Sequence, residues 1–339
     1  MPESRACLAL CTAAFVLLSA CTPAQPPAPT AAPTSPPTKL NVGYSNLSAD
    51  DLASWVALEG GYFAQNGLDV NLTQGSGGSN AMAALLSGGQ DISLQGGAEV
   101  LSATTSGADL VVLATLAPVF PYLVEVAPDI QSANDLRGKK LQISSAGSSG
   151  DIATRVALKA QGLDPDVDVT LVPVGSHTNG TAAMLGGAVQ GGLDDPPASY
   201  ELERHGLHPI FDLAGQKLPA VNTVVAAQRP WVNEHHDVAQ HFVDALVQGI
   251  ARARTDKAFT VGVLKKYFKS DDDEAMNGTY DFFVKEVLPS SPFPRAEQFS
   301  NVLAILEPKN EKLKSVDLGK VVDPTFVQSA VDRGLAAPN

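Results

Sequence analysis

Apolar residues along this chain recur with two alternating periods, which predict strands followed by helices. The segments 40–45, 68–74 and 91–97 carry the alternating or β-branched apolar residues that are typical of strands. Between them, 50–63 and 81–89 space their apolar residues three and four positions apart, as amphipathic helices do. Strands that alternate with helices of this length predict parallel sheets and an α/β fold.

The stretch 141–175 repeats this pattern and contains the most distinctive turn in the chain. A strand is followed by a turn of serines and glycines, a helix and a second strand from Asp168 to Val174. Ser148 or Ser149 can cap this helix, and Gly162 ends it. The free N–H groups and hydroxyls at the helix N-terminus predict either a site for a ligand's oxygen atoms or an ordinary capped helix.

Two parts of the chain share their pattern at an offset of 99 residues. The matching residues are Asp69, Val70, Leu72, Ala83 and Ala84, which recur as Asp168, Val169, Leu171, Ala182 and Ala183. A repeat of this length indicates two copies of a βαβαβ half rather than a solenoid. The alternative is a chance alignment of segments that are rich in alanine and glycine.

Two apolar segments can connect these halves. The segment 110–120 predicts a buried strand that crosses from one lobe to the other, and 222–230 predicts a strand that returns. We therefore expect two lobes joined by a two-strand hinge. Residues 39–117 plus 222–339 form lobe 1, and residues 118–221 form lobe 2. The last third of the chain is predicted to be mostly helical, with packing faces that carry no evident chemistry.

The N-terminal 38 residues predict export and anchoring rather than a folded domain. Residues 1–20 combine an early arginine with an apolar run too short for a stable membrane span, as a signal peptide does. The run ends in Leu-Ser-Ala-Cys, which resembles the lipobox of bacterial lipoproteins and predicts lipidation of Cys21; the alternative is a plain signal peptide with a coincidental cysteine. Residues 21–38 then form the lipidated cysteine and a proline-rich tether.

Composition excludes several classes of function. The formal net charge of −13 argues against nucleic acid as a partner and against a basic membrane-docking face. The three cysteines are Cys7, Cys11 and Cys21. The folded body therefore has no cysteine for a disulfide, a thiolate metal site or a nucleophile.

The candidate motifs for enzyme or metal chemistry each lack a required feature. The turn 147–150 is not G-x-S-x-G, and the loop 75–78 has no Walker lysine. The cluster 234–241 lacks the i,i+4 histidine pair of a zinc helix, and 271–274 lacks the ligand spacing of a calcium loop. We therefore predict no catalytic residues, no cofactor and no metal site.

The turns that follow the strands instead carry hydroxyls, amides and helix N-termini, a set that is typical of a binding cleft. They contain Tyr44, Ser45, Asn46, Ser48, Ser76, Ser79, Asn80, Gln95, Ser144, Ser145, Ser148, Ser149, His177, Asp194 and Asp195. None is a lysine or an arginine, while six acidic residues lie in or beside these turns: Asp50, Asp51, Glu99, Asp151, Asp194 and Asp195.

These segments resemble the extracytoplasmic substrate-binding proteins of ABC importers, in the nitrate, sulfonate, taurine and thiamine-precursor group. The matching segments are 59–72, 83–93, 134–175, 182–200 and 316–331. The resemblance implies a two-lobed periplasmic-binding-protein fold, in which each lobe is a mainly parallel sheet flanked by helices. It implies a monomer that captures a small solute between its lobes and delivers it to a permease and its ATPase. Such a protein is lipid-anchored at the outer face of the bacterial cytoplasmic membrane, in the periplasm or at the cell surface.

By position, the resemblance also implies the ligand-binding residues. They are Ser144, Ser145, Ser148 and Ser149 on lobe 2, Tyr44, Asn46, Ser76 and Gln95 opposite them, and Asp195 before a proline. Because these turns lack cations, we expect a zwitterionic or neutral ligand, such as an amino-sulfonate or an aminopyrimidine. Its oxygen or ring acceptor would lie at residues 144–149, and its amine would lie near Asp194 and Asp195.

The alternative function is an enzyme on the same fold, such as a pyrimidine-precursor synthase. That group carries a cysteine-rich motif, which the body of this chain after Cys21 lacks. The sequence therefore favours binding without turnover.

Overall fold

Two five-stranded sheets, each flanked by helices, form the framework of the protein. The structure, a computed structural model, describes residues 36–336. The predicted signal peptide, the predicted lipidation site Cys21 and most of the predicted tether lie outside the described residues. The strands are β1 (Thr38–Tyr44), β2 (Leu68–Gln74), β3 (Ile92–Gln95), β4 (Leu110–Val119), β5 (Leu123–Val126), β6 (Lys140–Ile143), β7 (Thr170–Pro173), β8 (Gly191–Asp194), β9 (His208–Asp212) and β10 (Pro219–Gln228).

Helices account for most of the remaining chain and dominate its last third, as predicted. They are α1 (Leu52–Glu59), α2 (Tyr62–Gln65), α3 (Gly78–Leu86), α4 (Gly97–Thr105), α5 (Ser149–Ala160), α6 (His177–Leu185), α7 (Ala198–Arg204), α8 (Arg229–Glu234), α9 (His236–Thr255), α10 (Lys257–Phe268), α11 (Asp273–Phe282), α12 (Ser300–Leu306), α13 (Leu318–Val321) and α14 (Thr325–Asp332). Between residues 36 and 336, no helix is both long enough and apolar enough to span a membrane.

The two sheets share one topology. The first has the order β2-β1-β3-β10-β4, and the second has the order β7-β6-β8-β5-β9. In each sheet the first three strands are parallel, and the fourth is antiparallel to both of its neighbours. Four of the five strands therefore point the same way. The predicted α/β fold with mainly parallel sheets is confirmed, and we refer to the bodies around the first and second sheets as lobe 1 and lobe 2.

The repeat at an offset of 99 residues is present in the structure. Helix α3 corresponds to α6, and strand β3 corresponds to β8, with first and last residues exactly 99 positions apart. The strand register follows the same offset, because Val42 pairs with Leu72 and Leu141 pairs with Leu171. The two lobes are therefore built around equivalent β-α-β units.

Only two chain segments connect strands of the two sheets. The chain leaves the first sheet after β4 and enters the second at β5, and it returns between β9 and β10. The two strands that were expected to cross between the lobes, β4 and β10, belong wholly to the first sheet, where they pair with each other. The return strand also ends two residues earlier than predicted, because Arg229 begins α8 with Pro230 in its first turn.

The helical segment after β1 also differs from its prediction. The expected helix over 50–63 is divided into a 3-10 turn at Ala49–Asp51, followed by α1 and α2. Gly60 and Gly61 separate the two helices, and Gly61 adopts a φ of 72°, which favours glycine. The 3-10 turn matters for the site, because it directs Asp50 and Asp51 toward the cavity between the lobes.

Aromatic stacking anchors the core of lobe 1. Trp55 on α1 is fully buried, stacks on Tyr267 with ring centroids 4.6 Å apart and contacts the edge of Tyr44 at 5.9 Å. The predicted apolar face of α9 packs into the same core, with Phe242 and Leu246 fully buried. These contacts fix the helix that follows the 3-10 turn, and thereby the carboxyl end of β1.

A buried carboxyl group in lobe 2 makes the stability of the protein sensitive to pH. Glu125 on β5 is fully buried, and neither of its carboxylate oxygens has a hydrogen-bond partner. Burial, together with the nearby charges of Glu203 and Asp194, raises the pKa of Glu125 to about 8. The side chain is therefore mostly protonated at neutral pH and becomes charged in alkaline solution.

We expect Glu125→Gln to reduce the loss of stability at alkaline pH. Because the folded-state pKa of Glu125 is raised, its contribution to stability is complete below about pH 4.5 and is lost as pH rises through about 8. Urea unfolding of the wild type between pH 5 and pH 9 should show a decrease of about 2–4 kcal/mol from this group, which the variant avoids. The exposed Glu201→Gln, in the same lobe, is the matched control because its charge is not among those that raise the pKa of Glu125. Identical pH profiles for wild type and Glu125→Gln would contradict the assignment.

Candidate functional site

A small cavity lies between the lobes at the carboxyl ends of their parallel strands. Its volume is about 60 Å³, enough for a few water molecules at about 10–15 Å³ each. Both lobes and the hinge strand β10 contribute to its wall. The lining residues are Ser45, Asn46, Ser48, Asp50, Asp51, Gly78, Gly96, Glu99, Tyr122, Gln142, Ile143, Ser144, Ser149, Gly150, Thr154, His177, Leu193, Asn222 and Thr223.

A larger groove of about 580 Å³ lies next to this cavity. His177 lines both, so the imidazole stands where the inner cavity meets the outer groove. Leu47, Phe268 and Met276 line the groove from lobe 1, and Pro197 lines it from lobe 2. The inner cavity is thus mostly polar, and the outer groove is partly apolar.

The structure brings three of the nine predicted ligand-binding residues to the cavity wall. They are Asn46, Ser144 and Ser149. The six others, which lie outside the wall, are Tyr44, Ser76, Gln95, Ser145, Ser148 and Asp195.

Three of those six point away from the cleft. Tyr44 is 6 % exposed and packs against Trp55, because successive side chains of a strand point to opposite faces. The hydroxyl of Ser76 lies on an exposed turn and accepts a hydrogen bond from Asn80. Gln95 is fully buried beneath the cleft, with its Nε2 3.9 Å from the sulfur of Met82.

Of the other three residues, two form contacts across the interface between the lobes, and the third caps a helix beneath it. Ser145 Oγ lies 3.4 Å from Ser79 Oγ across the interface. Asp195 accepts a 2.8 Å hydrogen bond from Ser48 Oγ, also across the interface. Ser148 caps α5 by accepting from the N–H of Asp151. Ser145 and Asp195 therefore connect the two lobes, and Ser148 stabilises a helix within lobe 2.

The N-terminus of α5 is already occupied by a carboxylate of the protein. Glu99, the third residue of α4 in lobe 1, accepts hydrogen bonds from the N–H of Ser149 at 3.2 Å and from its hydroxyl at 2.8 Å. Glycines make room for this contact, since a Cβ on Gly78 would lie 2.2 Å from Glu99 Oε1 and a Cβ on Gly96 would lie 1.9 Å from Ser149 Oγ. Glu99 thus takes the place where a helix N-terminus would hold an anion.

His177 is the one histidine, lysine or arginine among the described residues that line the cavity. Its Nε2 lies 2.5 Å from Asp194 Oδ1 and 3.8 Å from Asp195 Oδ1. Burial alone would lower the pKa of His177, but the carboxylates of Asp194 and Asp195 outweigh it and raise the pKa to about 10. The imidazole is therefore a cation at neutral pH, and its charge is balanced within lobe 2.

Carboxyl groups from both lobes are buried around the cavity. Burial raises the pKa of Asp50, although hydrogen bonds from Thr223 and other side chains oppose the shift. Burial and the neighbouring carboxylates raise the pKa of Asp51 well above its usual range. Burial likewise raises the pKa of Glu99, and it raises the pKa of Asp195 to about 8. The cavity therefore has an excess of acidic groups over cationic ones.

The family model described as NMT1/THI5 like matches residues 50–257. The chain belongs to the NMT1/THI5-like family. A relative from Bacillus subtilis strain 168, named "Putative binding protein YtlA", is 23% identical over 301 residues, covering 86% of this chain and 89% of the relative.

Solved structures with the same fold include two named as binding proteins. The alkanesulfonate-binding protein SsuA from Xanthomonas axonopodis pv. citri, bound to MOPS, is 18% identical with a TM-score of 0.67, covering 87% of this chain and 98% of that chain. The periplasmic nitrate-binding protein NrtA from Synechocystis PCC 6803 is 15% identical with a TM-score of 0.74, covering 88% of this chain and 89% of that chain. These similarities confirm the predicted two-lobed periplasmic-binding-protein fold for this family member.

One group of side chains in the described part of the chain has the spacing of metal ligands. The potential ligand atoms of His177, Asp194 and Asp195 lie within 4.8 Å of one another. In the structure this group forms an ion pair, in which the imidazole occupies the position next to Asp194 that a metal ion would need. The prediction of no metal site stays a prediction.

The structure also adds site residues that the sequence did not single out. Asn222 and Thr223 on β10 hydrogen-bond to Asp50, and Tyr122 and Gln142 line the cavity. The pair Asn222 and Thr223 had a detectable signal, because it places two polar residues inside an otherwise apolar strand. Glu99 was among the acidic residues named beside the turns, but the sequence did not predict its contact with Ser149, which lies 50 positions away in the other lobe.

We expect Glu99 and Ser149 to be energetically coupled. Hydrogen bonds to a charged group contribute about 1.5–3 kcal/mol. Glu99→Ala removes both bonds between these residues, and Ser149→Ala removes the one from the hydroxyl. The double variant should therefore be less destabilised than the sum of the single variants, by about 1–2 kcal/mol, in urea unfolding. Pairing Glu99→Ala with Ser87→Ala, an exposed serine of the same lobe, is the control that should be additive. Additivity of Glu99→Ala and Ser149→Ala would show that the interface does not close through this contact.

Proposed function

We propose that this protein is the solute-binding component of an ABC importer. It captures a small solute between its lobes, releases it unchanged to a permease with its ATPase, and acts outside the cytoplasmic membrane. The observation that carries this proposal is the polar cavity, whose wall is formed by residues of both lobes, including residues of β10 in lobe 1. Family membership and relatives named as binding proteins support it.

Lobe movement is part of the proposal. We assign residues 39–117 plus 222–339 to lobe 1 and residues 118–221 to lobe 2. The connections between β4 and β5 and between β9 and β10 are the two places where the chain passes between the sheets. Rotation about these connections would open the cavity to solvent and would admit and release the solute.

Binding is favoured over catalysis by the hydrogen bonds of the cavity. Among the described residues of its wall, no hydroxyl is hydrogen-bonded to the imidazole of His177. The hydroxyl of Ser149 instead donates to Glu99, and that of Ser48 donates to Asp195. An activated serine nucleophile needs an adjacent general base, which this arrangement does not supply. The cysteine-rich motif of the alternative enzyme group is also missing from residues 22–339.

Captured-solute mass spectrometry tests this function. The purified protein, incubated with a metabolite extract of its host, should retain one solute per chain in native mass spectra and release it with its mass unchanged. Asn222→Ala, which removes a cavity-lining amide that bonds to Asp50, should reduce capture at least tenfold. Asn71→Ala, at an exposed position of β2, should leave capture intact. A released molecule of altered mass would indicate turnover, and failure to retain any solute would contradict the binding function.

We further propose that Cys21 is lipidated and that residues 22–38 tether the body to the membrane. Expressed with its signal, the wild type should partition into detergent and gain the mass of a lipid anchor, because buried acyl chains contribute about 0.8 kcal/mol per CH₂ group. Cys21→Ser should remain in the aqueous phase, whereas Cys11→Ser, within the signal, should behave as the wild type does. Equal partitioning of wild type and Cys21→Ser would rule out the anchor.

A further inference from the structure

The inner cavity presents hydrogen-bond acceptors that the protein leaves unpaired. Asp51 Oδ1 and Asn222 Oδ1 are buried in residues only 3% and 5% exposed, and neither accepts a hydrogen bond from the protein. The amide nitrogen of Asn222 donates to Asp50, so its oxygen is the atom that remains available. A buried acceptor without a partner costs about 1–3 kcal/mol. Both atoms can therefore accept a hydrogen bond from a donor that a ligand brings.

The hydroxyls of the wall add acceptors rather than donors. Six serines and threonines line the cavity, and five of them use their proton inside the protein. Ser48 donates to Asp195, Ser149 to Glu99, Thr223 to Asp50, Thr154 to the carbonyl of Gly150, and Ser144 to Ser148. The direction of the last bond follows because Ser148 Oγ already donates to the carbonyl of Ser145 at 2.6 Å. What these five hydroxyls offer a ligand is lone pairs.

The charged groups around the cavity, like its hydroxyls, favour a ligand that donates hydrogen bonds. Asp50, Asp51 and Glu99 line it from lobe 1, and the one cationic group in the described part of its wall, His177, is paired with Asp194. The helix N-terminus that would stabilise an anion is taken by Glu99. Apart from the hydroxyls of Ser45 and Tyr122, an oxyanion entering this cavity would meet carboxyl groups and lone pairs, which disfavour it.

We propose that the inner cavity binds a small nitrogen cation that carries at least two N–H donors, such as an ammonium or amidinium group, through Asp51, Asn222 and Glu99. The inference rests on the proposed solute-binding function and specifies its ligand class. It differs from the nitrate and alkanesulfonate in the names of the two binding proteins of similar fold. It also differs from a metal site, because the carboxylates of Asp51 and Glu99 are not part of the described group with metal-ligand spacing.

Isothermal titration calorimetry with the mature protein tests this inference. Acetamidinium and methylammonium should each bind with a stoichiometry of one at constant pH and ionic strength. Tetramethylammonium has the same charge without N–H groups and should bind at least tenfold more weakly. Nitrate and methanesulfonate should give no binding heat. This panel separates the need for donors from the need for charge.

Matched variants locate the binding in the cavity. Asp51→Asn keeps the shape of the side chain but prevents it from carrying a negative charge when the cation binds, and it replaces one acceptor with a donor, so it should weaken acetamidinium binding at least tenfold. Asp109→Asn removes the same charge from lobe 1 at an exposed ion pair with Arg229, outside the cavity wall, and should change the affinity less than twofold. Circular dichroism of both variants checks that they are folded.

Several outcomes would overturn the inference. They are equal or tighter binding of nitrate or methanesulfonate, binding of Zn²⁺ without binding of the nitrogen cations, unchanged affinity in a folded Asp51→Asn, and binding of neither class. The mass spectrometry of captured solutes decides the proposed function separately. An anionic solute captured and released unchanged would support solute binding while overturning the cationic ligand.

Discussion

Bringing the two lobes together buries carboxylates, and the structure of the cleft depends on how each of them is stabilised. A buried carboxylate is costly unless it is paired, hydrogen-bonded or protonated. Glu99 is stabilised by the N-terminus of α5, Asp50 by an amide and a hydroxyl of the hinge strand, and Asp194 by the imidazole of His177. Asp51 has an oxygen with no such partner. The protein itself therefore provides partners for most, but not all, of the buried carboxyl groups of the cleft.

The same contacts determine how firmly the lobes are held. The chain passes between the sheets only twice, so the angle between the lobes depends largely on side-chain contacts across the interface. The ion pairs Arg204–Asp272, Lys217–Glu286 and Lys309–Asp166 join residues of the two lobes. In the cleft, the carboxyl groups of Asp195 and Glu99 accept hydrogen bonds from Ser48 and Ser149. Hydrogen bonds of this kind contribute about 1.5–3 kcal/mol each. A solute that makes two or three similar bonds can therefore change the balance between open and closed arrangements.

Most of the fold was predictable from the sequence, but the cavity wall was not. Apolar periodicity and the offset of 99 residues are local or repetitive signals, and they predicted the sheets and the duplicated unit. The strands expected to cross between the lobes, β4 and β10, instead pair within the first sheet. Tyr44 was assigned to the cleft because it ends a strand, yet the direction of a terminal side chain depends on one residue of register. The serine turn at 144–149 was recognised, but its use by Glu99 depends on a contact between lobes. Such contacts follow from packing and leave no periodic trace in the sequence.

The offset that relates the two lobes also relates Gly78 to His177, which are the first residues of equivalent helices. If the two copies of the unit carried the same residues, the two walls of the cleft would be identical and would suit only a symmetric ligand. At this position one copy has no side chain, which leaves room for the carboxylate of Glu99, and the other carries a cation that neutralises Asp194. One pair of unlike residues thus gives the two walls opposite electrostatic roles. The two walls of the cavity therefore differ at a position where the elements of the two halves have the same bounds.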